Sequence, residues 1–349
     1  MQKKGNKYGI HRVLEPEGVL PQPALRLDND FSEIYDNEIL CDVITLNIDS
    51  ASFTDIKDRA GNDPQEVARI MNDIVSKYGK HQNPRTGSGG MFIGEVARIG
   101  DALKSRIDLK QGDRIASLVS LSLTPLRIDE ILTIHMDKDQ VDIKGQAVLF
   151  ESGVWARLPD DMPEPLALAV LDVAGAPAQV DMLVRPGDTV AVIGARGKSG
   201  LLCCYQAKKK SGPDGRVIAI VHREDGKEDA DNAPFIDEVI VGQADRALDL
   251  LQKVEVATDG KLCDVVINCV SRENCEMGAI MIAKNLAKVY FFSMATSFTK
   301  AALGAEGIGK DVEMIIGNGY CAGHAELALN IMRQSTYLRD LYTKRYCTP

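Results

Sequence analysis

Positive charge is in short supply in this 349-residue chain: 41 lysines and arginines face 50 aspartates and glutamates, a formal net charge of -9. That balance argues against a nucleic-acid-binding surface. It leaves room for a cationic small molecule, which an acidic protein attracts over long range. Long apolar runs are missing as well. None approaches the roughly eighteen residues of a membrane helix, and Met1-Gln2-Lys3-Lys4-Gly5-Asn6 lacks the apolar core of a secretion signal. Paired metal-ligand spacings are also absent. Cys41, Cys203, Cys204, Cys263, Cys269, Cys275, Cys321 and Cys347 include no C-x-x-C, so no metal is expected. Several of these thiols lie in apolar segments and read as reduced core side chains of a cytoplasmic protein. What is present, 45% hydrophobic and 26% charged residues over a length sufficient for two cores, is ordinary globular make-up.

One stretch carries the clearest chemistry. The apolar run Thr189-Val190-Ala191-Val192-Ile193 stops at Gly194, and Gly197 and Gly200 follow at intervals of three before a helical segment closed by Gly212. A strand, a tight turn and a helix aimed at a phosphate read this way. The spacing G-x-x-G-x-x-G is a variant of the commoner dinucleotide form. A P-loop is excluded, because Val192 stands where its first glycine belongs. Apolar runs Val190–Ile193, Val217–Val221, Glu238–Val241, Asp264–Val270, Val289–Phe292 and Val312–Ile316 alternate with helical stretches at 199–210, 244–258, 273–286 and 298–308. That alternation predicts a doubly wound parallel sheet of the Rossmann type.

The first 165 residues are different. Short strands are predicted at Asp42–Ile48, Phe92–Ile99, Arg114–Val119, Gln140–Ile143 and Gln146–Phe150, with one helix, Pro64–Tyr78. The expected organisation is a β-rich catalytic domain at 1–165 and a dinucleotide-binding domain at 166–320. A C-terminal helix at 321–349 is expected to return to the first domain. The fold class is α/β.

For the cofactor, Gly194, Arg196, Gly197, Lys198, Ser199 and Gly200 form the phosphate turn. His222 and Arg223 end the second strand and suit a 2′-phosphate, whereas Glu224 or Asp225 suits ribose hydroxyls, so NAD is the expected cofactor with NADP left open. Ser293, Met294, Thr296 and Ser297 leave the fifth strand and Asn318 the sixth, at the ends that face a ligand. Asp172 and Glu151 are carboxylates in apolar runs, either neutral, ion-paired or working. Asp49 follows a strand as an Asx turn or a cleft residue. His81 lies in the glycine-rich stretch 79–90, read as a loop that closes over ligands or a mobile surface loop. Ser117–Arg127 alternates like a strand with one wet face. It contains Thr124 and ends at Arg127, a group suited to a carboxylate.

This order of domains resembles the medium-chain dehydrogenase/reductase superfamily, with a GroES-like first domain and a cleft for nicotinamide and substrate between domains. At the places where zinc-dependent members carry their ligands this chain has Asp49-Ser50, Gly89-Gly90-Met91-Phe92 and Ala174, which implies a zinc-free member. The blocks Gly79–Met91, Leu118–Asp129, Leu171–Gln179, Phe291–Asp311 and Met314–Glu326 resemble the L-erythro-3,5-diaminohexanoate dehydrogenase family. The resemblance implies NAD(P)-dependent oxidative deamination of (3S,5S)-3,5-diaminohexanoate to (S)-5-amino-3-oxohexanoate and ammonia in anaerobic lysine fermentation. A zinc-free quinone or enoyl reductase and a non-catalytic NAD(H)-binding protein are the alternatives. On this reading Asp172, Glu151 and Asp49 are the candidate bases. Arg127, Thr124, Ser297, Lys300 and His81 are the candidate substrate contacts, and the protein is expected to be a homodimer or homotetramer.

Overall fold

The computed structural model describes residues 2–224, 227–293, 295–317 and 319–347. The chain divides into two compact units, the first ending at Glu164 and the second starting at Pro165.

The first unit contains β1 (Val13–Glu15), β2 (Arg26–Leu27), β3 (Glu38–Asn47), α1 (Ser50–Arg59), α2 (Pro64–Tyr78), β4 (Met91–Ile99), β5 (Arg114–Ser117), β6 (Leu126–His135), β7 (Gln140–Phe150) and β8 (Trp155–Arg157). Six strands form an antiparallel sheet in the order β6-β7-β3-β4-β5-β8. Its core joins Leu46, Phe92, Val96, Ile115 and Val141 to Phe53 and Ile56 of α1 and Val67 and Met71 of α2. The helix at 64–78 matches its expected limits because its signals are strong: Asp63 caps Gln65 N, Pro64 opens the first turn, and Gly79 closes it with φ +67°. The two short runs expected at 140–143 and 146–150 are one strand. The stretch 117–127 is not one strand: β5 ends at Ser117, a 3-10 turn occupies Leu121–Leu123 with Ser120 as its cap, and β6 starts at Leu126.

The second unit holds α3 (Glu164–Leu171), α4 (Gly175–Leu183), β9 (Thr189–Ile193), α5 (Lys198–Ser211), β10 (Arg216–Val221), α6 (Lys227–Asp231), β11 (Glu238–Val241) and α7 (Ala247–Ala257). It continues with β12 (Cys263–Asn268), α8 (Glu276–Met281), β13 (Ala283–Phe291), α9 (Phe298–Gly307), β14 (Glu313–Ile316), α10 (His324–Gln334) and α11 (Thr336–Tyr346). Its six strands are all parallel, in the order β11-β10-β9-β12-β13-β14. That is the doubly wound dinucleotide order, with its crevice where β9 meets β12. The helix expected over 273–286 is shorter, because β13 already starts at Ala283.

The C-terminal segment corrects an expectation. It is two helices, broken at Ser335, whose hydroxyl caps Leu338 N. Both are counted in the second unit: α10 packs on α4 and α5, and the α11 residue Tyr342 is fully buried with its hydroxyl bonded to Lys198 O. Burying that side chain on the nucleotide helix fixes where the segment lies. All eight cysteines are free thiols. Among the described residues no single helix is long and apolar enough to cross a membrane, and no cluster of His, Cys, Asp and Glu is suited to a metal ion.

Candidate active site

β9 ends at Ile193 and the chain turns through Gly194 at φ +82°, a conformation costly for a side chain. The N–H groups of Gly194 and Ala195 both donate to Ile220 O, at 2.9 and 3.2 Å, tying the turn to β10. Gly197 N donates to Gly194 O at 2.9 Å and caps α5. A Cβ on Gly200 would lie 2.2 Å from Gly194 O and 2.8 Å from Ala195 Cα, so helix and turn touch backbone to backbone. The first turn of α5 therefore opens directly behind the loop. N–H groups there have no intrahelical acceptor and suit an anion. The cradle fits a dinucleotide pyrophosphate. Gly200→Ala is expected to cost about 1–3 kcal/mol of stability by overpacking, and to weaken NADH binding roughly tenfold or more in a fluorescence titration. Unchanged binding would mean the contact is not needed.

Two elements hold this turn from behind. Tyr342 donates to Lys198 O, and Arg345 donates to Arg196 O at 3.0 Å. Lys198 Nζ lies 2.6 Å from Asp172 Oδ2. Asp172 sits just past α3, and the apolar run around it is tolerated because the lysine neutralises it. The pairing makes Asp172 a neighbour of the phosphate turn, which is not the surrounding a free proton acceptor needs. Ser199 is buried in the first turn of α5.

Beside the turn lies a cavity of about 250 Å³ lined by Gly194, His222, Gln243, Asp245, Arg272 and Cys275, among others. Its walls are the C-terminal ends of β9, β10, β11 and β12, the ligand side of such a sheet. Arg272 and Asp245 form an ion pair of 2.9 Å in its lining. His222 lines the cavity, while Arg223 is exposed on the turn that follows β10. Asp245 and Arg272 escaped the sequence reading. They follow β11 and β12, and the rule that strand C-termini face the ligand was enough to find them.

After β13, Ser293 Oγ accepts from Ala295 N at 3.1 Å, and Ser297 caps α9 by accepting from Lys300 N at 3.3 Å. Lys300 Nζ donates to Asn274 Oδ1 at 2.7 Å. Ser297 and Lys300 thus have structural partners within their own unit. Thr296 is the more interesting residue here, with a buried hydroxyl oxygen that has no hydrogen-bond partner. Met294, Asn318 and Asp225 lie outside the described residues.

In the first unit the polar centre forms past the end of β3. Asp49 caps α1, its Oδ1 accepting from Ser52 N at 2.9 Å, while its Oδ2 is buried without a partner. His81 is fully buried; its Nδ1 is 3.2 Å from Gly89 O, and its Nε2 has no partner. Burial holds the imidazole down at about 4, against the opposing pull of Gly89 O and the Asp49 charge. The loop 79–90 is pinned throughout. Lys80 Nζ donates to Pro21 O and Gln22 O at 2.9 and 3.0 Å. Asn83 donates to Ser52 O and Asp55, Arg85 pairs with Asp55 at 2.7 Å, and the Ser52 and Thr86 hydroxyls meet at 2.5 Å. Gly90, at φ +87°, lies so close to β3 that a Cβ would meet Asn47 O at 2.1 Å.

Two other expected site residues, Glu151 and Arg127, lie elsewhere, and a third, Thr124, has its hydroxyl committed. Glu151 follows Phe150, which pairs with Glu38 at the start of β3, whereas Asp49 lies past Asn47 at its end. The separation is roughly 30 Å at about 3.3 Å per residue. Arg106 pairs with Glu151 at 2.7 Å and, with Asn37, holds its carboxyl below the usual range, so it is a surface ion pair and not a base. Arg127 pairs with Asp129 at 2.8 Å and bonds Gln146 at 3.0 Å, in an open groove on the face of β3, β6 and β7. Gln146 in turn bonds Asp42, five residues before Asn47 on β3, so Arg127 is remote from Asp49. Thr124 is buried and its hydroxyl is spent on Ser120 O at 2.9 Å.

An antiparallel β-rich unit followed by a six-stranded parallel unit with this glycine turn defines a medium-chain dehydrogenase/reductase fold that takes a nicotinamide dinucleotide. Solved structures agree on the fold. Alcohol dehydrogenase TADH from Thermus sp. ATN1 is similar with a TM-score of 0.54 at 19% identity, over 88% of this chain and 85% of that one. Escherichia coli quinone oxidoreductase, complexed with NADPH, is similar with a TM-score of 0.52 at 17% identity, over 86% and 80%. Residues 11–159 match the family described as "L-erythro-3,5-diaminohexanoate dehydrogenase N-terminal domain". Curated proteins named L-erythro-3,5-diaminohexanoate dehydrogenase are 57% identical in Acetoanaerobium sticklandii, over 98% of this chain and 99% of that protein, and 55% identical in Fusobacterium nucleatum, over 99% of both. The chain belongs to the L-erythro-3,5-diaminohexanoate dehydrogenase family.

Proposed function

We propose that this protein oxidatively deaminates (3S,5S)-3,5-diaminohexanoate to (S)-5-amino-3-oxohexanoate and ammonia, with NAD as cofactor. The observation that carries the reading is the 57% identity over nearly the whole chain to a relative with that name. NAD in the oxidised form supplies the hydride acceptor. Gly194, Gly197, Gly200 and the first turn of α5 hold its pyrophosphate, and the cavity at the ends of β10 and β11 takes the adenosine half. The preference for NAD is supported by Arg272: it is the sole arginine or lysine lining that cavity among the described residues, and it is committed to Asp245.

Asp49 is the proposed base, since its Oδ2 is buried and unpartnered while Glu151 and Asp172 are ion-paired. Asp172→Asn is expected to raise the KM for NAD several-fold through the loss of the Lys198 pair and to leave kcat within a few-fold. A collapse of kcat with NAD affinity intact would return the base role to Asp172. A homodimer or homotetramer remains part of the proposal, supported by exposed Phe298, Leu303 and Ile316 near edge strand β14.

The test follows reduced-nicotinamide absorbance with 3,5-diaminohexanoate, a quinone and an enoyl thioester, each with both cofactor forms. Reduction of NAD by the diamine, faster than of NADP, is the expected result. Turnover of the quinone or enoyl substrate alone moves the protein to the reductase reading, and NADH binding without any turnover makes it a binding protein.

A further inference from the structure

Two buried atoms beyond the end of β3 share one property. Asp49 Oδ2 accepts hydrogen bonds when ionised. His81 Nε2 has its role set from the other side of the ring. Gly89 O can only accept, so Nδ1 carries the hydrogen that faces it, and the neutral imidazole keeps its lone pair on Nε2. Burial holds the ring neutral. Both atoms are therefore acceptors, both are buried, and neither has a partner. Of the donors nearby in sequence, one of the Ser52 and Thr86 hydroxyls donates to the other, and the Asn83 amide donates to Ser52 O and Asp55.

We infer that Asp49 and His81 form a donor-free receptor for a primary amine. Asp49 Oδ2 takes one proton of the substrate's C3 ammonium, and His81 Nε2 accepts a second N–H and keeps it through the reaction. This rests on the reading of the chain as an amine dehydrogenase. An alcohol offers a single O–H and a carbonyl none, so such a pair leaves an acceptor unsatisfied with either. An ammonium satisfies both before its proton moves, and the iminium that follows, which has two N–H groups and no lone pair, keeps one of them on His81 Nε2. In balance, the N–H bond breaks to give the amine and a protonated Asp49. The C3–H bond then breaks with its electron pair passing to oxidised nicotinamide, leaving the iminium. Water adds at C3 and ammonia leaves. The sum is ammonium substrate, NAD and water giving ketone, ammonium ion, NADH and a proton. His81 is a binding residue in this scheme and never the proton acceptor.

Two substitutions separate its halves. Asparagine places an amide where Nδ1 stood and keeps the Gly89 bond without the outer acceptor, whereas glutamine reaches the Nε2 position. H81N is expected to lose kcat/KM for 3,5-diaminohexanoate on the order of 100-fold, the worth of a hydrogen bond to a charged group. H81Q is expected to retain most of it, with NADH affinity unchanged in both. Nitrogen-15 spectra of the wild-type histidines at pH 7, with His81 assigned by its loss in H81N, are expected to show hydrogen on Nδ1 and a bare Nε2. Hydrogen on Nε2 overturns the inference, as does H81N activity within threefold of wild type or equal losses in H81N and H81Q. The spectra do not depend on turnover. A wild type inactive on the diamine with Nε2 bare refutes the reading of the reaction, and hydrogen on Nε2 in an active enzyme refutes the receptor.

Discussion

Asp49→Asn is expected to lower kcat for the diamine by about 10²–10⁴-fold, the usual contribution of a positioned base, with little change in stability. The substitution is informative because Asp49 has two separable duties. Its Oδ1 caps α1 by accepting from Ser52 N, and an asparagine oxygen does the same. Its Oδ2 is the buried, unpartnered atom, and there an amide offers hydrogens in place of a lone pair. The cap survives while the acceptor is lost. Circular dichroism and NADH binding are therefore expected to match wild type, with the loss confined to kcat and kcat/KM. Asp49→Ala removes both duties and is expected to cost a further ~1 kcal/mol through the cap. If Asp49→Asn keeps kcat within fivefold, Asp49 is only a cap and the base lies elsewhere.

How the site was read from sequence follows from which information is local. β9 and β10 are buried parallel strands, written as nearly unbroken apolar runs, and the glycine turn between β9 and α5 is contiguous. Both were legible. α1 was not, because Phe53 and Ile56 are its only buried apolar residues and its cap looked like an Asx turn. β6 was missed for a similar reason: it is an edge strand with Asp129 and Glu130 among its residues and little burial. The carboxylates Asp172 and Glu151 drew attention through their apolar sequence neighbours. Their true partners come from other elements, Lys198 from α5 and Arg106 from the segment after β4, and no local pattern announces such pairs. His81 was one residue of a polar loop, and its complete burial depends on β3 and the Leu121–Leu123 turn closing around Gly89 and Gly90. The missing information was tertiary throughout.

The largest stability effect is expected from Glu38, at the start of β3. Its carboxylate is fully buried and takes two bonds of 2.8 Å from the Arg12 guanidinium, another of 2.8 Å from His11, and one of 2.9 Å from Tyr35 N. Arg12 is 1% exposed and its remaining nitrogen is spent on Asp28 and Asp30 O. Removing one member of such a network leaves the other charge buried and short of a partner, at a cost of about 3–5 kcal/mol, so Glu38→Gln is expected to lower the melting temperature markedly. The same group sets a pH signature. Burial alone would raise the Glu38 carboxyl, but Arg12 and His11 outweigh it and bring it down from 4.5 to about 2. A carboxyl depressed on folding contributes its stability fully above the unfolded value and loses it as pH falls through the folded one. The difference is about 3 kcal/mol, lost between pH 4.5 and about 2. Calorimetry from pH 6 to 3 is expected to show wild type declining steeply below pH 4.5 and Glu38→Gln, already lower, declining less. Parallel curves would show that Glu38 is not the acid-labile group.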